Sequence, residues 1–150
     1  MIQRIQSVYL LVVTILLIVC MCTPVGAYIA EDYSVSKFTN LCIVSADGVK
    51  DYAPWAMFVI LVVAALLSFT TIFMFKKRML QIRVTIFSTI LLVGYYATLI
   101  TFIFMLKDDS MTFSASWTLC LPFVAIILNW LAIRAIGKDE VLVKAYDRLR

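Results

Sequence analysis

Histidine is absent from the chain, which removes haem ligation by imidazole, His-built metal sites and His general-base catalysis, and with them most redox enzymes of membranes. Glycine is nearly as scarce. Four glycines in 150 residues could hardly build the Gly-rich loops that cradle phosphates, and neither a phosphate-loop motif nor a Ser nucleophile elbow occurs. Charge is thin and uneven: only 15% of residues carry it, and the stretches 5–30, 52–75, 84–106 and 110–133 contain no Asp, Glu, Lys or Arg at all. Ion-coupled transporters usually need an acid inside a span, so its absence weakens that class.

What the chain does have is apolar length. It is 64% hydrophobic with a mean hydropathy of +1.03. Each charge-free stretch exceeds the roughly 20 residues that a helix needs to cross about 30 Å of hydrocarbon. The expected fold class is all-α, an integral membrane four-helix bundle with a short C-terminal amphipathic cytoplasmic helix. One membrane domain then covers 1–150, with spans near 7–30, 53–75, 84–106 and 112–134. An outer loop takes 31–52, a cytoplasmic loop 76–83 and a cytoplasmic tail 135–150. The outer loop suffices for a hairpin or a short cap over the bundle, but not for a domain with its own core. Arg4 and the small run Val25-Gly26-Ala27 resemble the ends of a signal peptide. The apolar run from Ser7 to Cys22, however, exceeds the 7–15 residues typical of a signal core, so an uncleaved first helix is expected.

The positions of Lys and Arg orient these spans. Arg4, Lys76, Lys77, Arg78, Arg83, Arg134, Lys138, Lys144, Arg148 and Arg150 fall on one side. Only Lys37, Lys50 and Lys107 fall on the other, together with Glu31, Asp32, Asp47, Asp51, Asp108 and Asp109. Cytoplasmic loops are enriched in basic residues, so both termini and the 76–83 loop are expected in the cytoplasm. Trp55 and Trp117 near the outer helix ends, and Tyr9 and Trp130 near the inner ones, suit the headgroup levels. The net charge of +4 then belongs to a face that meets anionic lipid, and no nucleic-acid partner is expected.

Helices in lipid associate through small residues and polar contacts. The faces expected to turn inward are Ala64, Ala65 and Ser68 in the second span, Gly94, Thr98 and Thr101 in the third, and Ala125, Asn129 and Ala132 in the fourth. Asn129, Tyr95 and Thr98 are the candidate interhelical polar groups, since a buried amide or hydroxyl in hydrocarbon needs a partner on a neighbouring helix or a carbonyl. Pro122 is expected to kink the fourth span. Cys20, Cys22, Cys42 and Cys120 all fall toward the outer side. This resembles, in topology alone, the four-helix thiol oxidases that pass electrons to a quinone, but the close pair is C-x-C and the loop holds a single cysteine. The bland reading, small buried hydrophobes, is preferred.

Past Arg134 the last span is expected to stop at Gly137. Asp139 would then cap a separate helix to Arg150, with Val141, Leu142, Ala145, Tyr146 and Leu149 on one face and Lys144, Arg148 and Arg150 flanking it. The start Met1-Ile2-Gln3-Arg4-Ile5-Gln6, the loop Phe75-Lys76-Lys77-Arg78-Met79-Leu80-Gln81, and the close from Lys138-Asp139-Glu140 to Asp147-Arg148-Leu149-Arg150 carry a family resemblance. The chain resembles the small membrane proteins of Bacteroidetes grouped as domain of unknown function 4293. That resemblance implies a four-span inner-membrane protein with no assigned activity and no catalytic residues to carry over.

The functional expectation is a non-enzymatic scaffold or accessory subunit without a cofactor or metal. Its basic cytoplasmic face, Lys76, Lys77, Arg78, Arg83, Lys144, Arg148 and Arg150, would bind anionic lipid, a membrane-protein partner or another copy of the chain. The alternatives are a quinone-linked thiol oxidoreductase, a small-solute transporter and a lipid-handling protein.

Overall fold

The structure, a computed structural model, describes residues 2–107 and 109–150. Met1, which opens the terminal motif, and Asp108, assigned by sequence to the last outer turn, lie outside the described residues. Four helices dominate: α1 (Ile2–Cys22), α2 (Trp55–Phe73), α3 (Arg78–Met105) and α4 (Cys120–Arg148). All four are long and apolar enough to cross a membrane. At about 1.5 Å per residue, α1 and α2 measure roughly 30 Å, whereas α3 and α4 exceed about 40 Å. Successive helices pack side by side and α1 closes against α4, so the helices form a ring.

On α2 and α4 the inward faces carry small residues, which let neighbouring helices approach closely. Ala64, Ala65 and Ser68 of α2 and Ala125, Asn129 and Ala132 of α4 are buried as expected. On α3 the expected face is wrong. The buried residues are Gln81, Thr85, Ser88, Leu92, Tyr95 and Leu99, while Gly94 and Thr98 are half-buried and Thr101 is exposed. The hydroxyls of Thr98 and Thr101 return to the carbonyls of Gly94 and Ala97 in their own helix, so neither needs a neighbour.

The molecule is not all-α. Five strands, β1 (Pro24–Ala30), β2 (Val35–Thr39), β3 (Ile43–Val44), β4 (Lys50–Asp51) and β5 (Met111–Ala115), form one antiparallel sheet in the order β4-β3-β2-β1-β5. It caps the end of the bundle where α1 and α3 finish and α2 and α4 begin. The first helix therefore ends at Cys22, short of residue 30, and the fourth helix is preceded by a strand and a 3-10 turn at Trp117–Leu119. Charge-free sequence conceals this, yet Pro24 and Gly26 oppose a helix, and Met111-Thr-Phe-Ser-Ala alternates with a strand's period of two. Gly26 is required sterically: a Cβ there would lie 2.7 Å from both the Phe113 ring and the Ser114 carbonyl oxygen. Under the sheet, Tyr28, Phe38 and Phe113 form an aromatic cluster with ring centroids 5.1 to 6.3 Å apart.

At the opposite end two further expectations are corrected. Helix α4 does not stop at Gly137, and no separate C-terminal helix forms. Gly137 does not take the positive φ of a helix-ending glycine, no proline follows it, and a Glu140–Lys144 ion pair at i,i+4 spans the next turn. Asp139 is therefore a buried mid-helix residue instead of a cap. At the sheet end of the same helix, Pro122 is the third residue of α4, in its first turn, a position that tolerates proline better than the helix interior does.

Candidate functional site

The basic end of the bundle is built by a tight turn and a long helix. Helix α2 finishes with the Met74 N–H donating to the Thr71 carbonyl at 3.1 Å. The Lys77 N–H returns to the Met74 carbonyl at 3.0 Å, and α3 starts at Arg78. The loop expected at 76–83 is thus mostly helix. The Gln81 side-chain amide donates to the Thr71 carbonyl at 3.3 Å and holds the turn closed.

Asp139 fastens three helices at this level. Its carboxylate accepts from the Gln6 side-chain amide of α1, and its carbonyl accepts from the Arg78 guanidinium of α3 at 3.2 Å. Sequence reasoning gave Asp139 the role of a helix cap and gave Gln6 no role of its own. The signal is present in the chain: Ala125, Asn129, Ala132, Ile136 and Asp139 repeat on one helical face, and all are buried. Ending the helix at Gly137 takes Asp139 off that face.

Among the described residues, two grooves lie here between α4 and its neighbours. The larger, about 750 Å³, lies between the 75–80 segment and the following turns of α4. Lys76, Lys77, Arg78 and Lys144 line it with a single carboxylate, Glu140, and with Phe75, Met79, Leu80 and Val143 as apolar walls. The smaller, about 480 Å³, lies on the α1 side and carries Arg134 and Lys138. The Arg134 guanidinium stacks 5.5 Å from the Trp130 ring centre. Of the seven basic candidates, four therefore meet in one groove. Arg83 is exposed more than a turn farther along α3, and Arg148 and Arg150 sit at the far tip of α4, outside both grooves.

Beyond Asp139, α4 projects from the ring. Residues 141–150 are all exposed, and the apolar side chains Leu142, Val141, Tyr146 and Leu149 are 57, 67, 78 and 87% accessible.

The interior polar candidates behave differently from one another. Tyr95 donates its hydroxyl to the Asn40 side-chain oxygen at 2.6 Å, and the Asn40 amide donates to the Cys20 carbonyl at 2.7 Å. The partner of Tyr95 is thus the segment between β2 and β3, not a neighbouring helix. Tyr96 reaches the Leu119 carbonyl at 2.6 Å. The bond expected from Asn129 across the bundle does not form, and both atoms of its buried amide lack a partner among the described residues. Hydroxyls on the surrounding helices are engaged elsewhere: Thr14 with the Leu10 carbonyl, Thr85 with the Gln81 carbonyl, and Ser68 with Ser88.

All four cysteines are free. Cys20 is buried, Cys42 half-buried, and Cys22 and Cys120 exposed. Among the described residues no group of three or more Cys, Asp or Glu comes together that could hold a metal ion.

These features define a class: a small protein of four membrane-length helices, closed by a β-sheet cap at one end and basic grooves at the other. The chain matches the family model described as Domain of unknown function (DUF4293) over residues 2–149, and it belongs to that family. No curated protein matches it.

Proposed function

We propose that the protein is a non-enzymatic accessory subunit or scaffold of a bacterial inner membrane, with its basic end in the cytoplasm and a protein partner held by the projecting part of α4. Helical spans suit an inner membrane, as outer-membrane spans are β-barrels. The ten-to-three bias of Lys and Arg toward the groove end supports the orientation.

The observation that carries the partner reading is the exposure of Val141, Leu142, Tyr146 and Leu149 on the last turns of α4, where every residue from 141 to 150 is exposed. A stripe of apolar residues held about one to three turns past the bundle gains stability only by being covered. Stopping the chain after Glu140 removes that stripe and keeps the Asp139 fastening.

The test is an affinity pull-down in mild detergent from native membranes, comparing the intact chain with this truncation and checking both for equal melting temperature. Loss of a reproducible partner on truncation is expected. Retention of the same partners, or none with either chain, overturns the reading.

A further inference from the structure

Lys76 and Lys77 are exposed on the α2–α3 turn and make no ion pair among the described residues. Arg78 uses one guanidinium nitrogen on the Asp139 carbonyl and leaves others toward the groove, while Lys144 is held 3.0 Å from Glu140. The groove thus gathers four cations against one carboxylate. Its remaining wall is apolar, with Phe75, Met79 and Leu80 each more than a third exposed. Cations beside exposed apolar side chains, where α2 ends after only 19 residues, match an amphiphile that lies with its charge at the membrane surface and its chains in the hydrocarbon.

The geometry points to a binding site for an anionic phospholipid of the cytoplasmic leaflet, its phosphate among Lys76, Lys77 and Arg78 and its acyl chains along Met79 and Leu80. Several features favour this ligand over other phosphates. A zwitterionic lipid brings its own ammonium group into a basic groove, which costs Coulomb energy. A soluble phosphate leaves the apolar wall unused. The inference rests on the membrane placement proposed above but not on the protein partner of α4.

The test uses the full-length protein in detergent, titrated with phosphatidylglycerol and with phosphatidylcholine and read by native mass spectrometry. The intact chain is expected to retain phosphatidylglycerol preferentially. The double variant Lys76→Gln/Lys77→Gln is expected to weaken that binding roughly tenfold or more, on a contribution of about 1 kcal/mol per surface lysine. Arg148→Gln/Arg150→Gln removes the same charge from the α4 tip and is expected to change it less than about threefold. Equal losses in the two variants overturn the groove in favour of diffuse attraction, and equal binding of the two lipids overturns it outright. Displacement of the lipid by equimolar inorganic phosphate assigns the site to free phosphate and overturns the lipid. Truncation after Glu140 also removes Val143 and Lys144 from the groove, whereas Lys76→Gln/Lys77→Gln leaves the tail intact, so the same pull-down run on that double variant separates the two proposals: partner kept with lipid lost, or partner lost with lipid kept, lets either fail alone.

Discussion

Asn40 is the residue on which the two halves of the molecule meet. It lies in a polar, loop-like stretch of sequence, yet it is wholly buried, accepting from Tyr95 of α3 and donating to the last turn of α1. Asn40→Leu strands the Tyr95 hydroxyl and leaves the Cys20 carbonyl with only the longer contact from the Thr23 hydroxyl at 3.4 Å, and is expected to cost about 2–4 kcal/mol. Thermal melts in detergent of Asn40→Leu, Tyr95→Phe and the double variant check this, and the double variant is expected to lose less than the sum. Tyr28 is the opposite case: it is buried under the sheet with a hydroxyl that has no partner among the described residues. Burial raises its phenol above the ordinary value near 10, so the folded sheet holds a proton that the unfolded chain releases first. This stability is complete below pH 10 and is lost as the pH rises through the raised value. Tyr28→Phe is expected to gain about 1 kcal/mol at neutral pH, with the gap to the native chain widening above pH 10. A native chain that melts higher than the variant at pH 7 would show that the hydroxyl has a partner.

At the scale of elements, α4 decides the shape of the basic end. Gly137 lies in its interior, an added Cβ there would meet nothing within 4 Å, and its φ is not in the left-handed range. Gly137→Ala is therefore expected to stabilise the helix by about 0.5–1 kcal/mol, read as a higher melting temperature. If the helix ended there through a left-handed glycine, the same change would lower it. The four apolar helices were legible because a long charge-free stretch has few other uses, whereas the strands were not. In β1 the run Pro-Val-Gly-Ala-Tyr-Ile-Ala is as free of charge as the helix before it, and strand identity rests on pairing with β2 and with β5, more than 80 residues away. Local composition does not encode that pairing, though the breakers Pro24 and Gly26 mark its start.

On the scale of the whole molecule, the charge bias and the fold coincide: the sheet covers the end with few basic residues, and the grooves open at the end with many. With exposed Cys22 and Cys120 and half-buried Cys42 changed to Ser, single variants Tyr33→Cys in the β1–β2 turn and Tyr146→Cys on α4 place thiols at opposite ends of the molecule. An impermeant maleimide applied to intact spheroplasts is expected to label the former and not the latter until the membrane is opened. Labelling of position 146 alone would reverse the orientation.

The sequence by itself determined the four helices of membrane length and the segregation of charge, because hydrophobic length and the sign of loop residues act locally and need no partner. The candidate basic residues were also legible one by one. Only the tertiary structure decided which of them share a groove, that Asp139 fastens α1, α3 and α4, that Asn129 goes unpaired among the described residues, and that residues 24–51 and 111–115 join in one sheet. Each of those depends on helix register and strand pairing between distant segments, where the free energy of a polar or basic side chain is set by what the fold brings within about 3 Å of it.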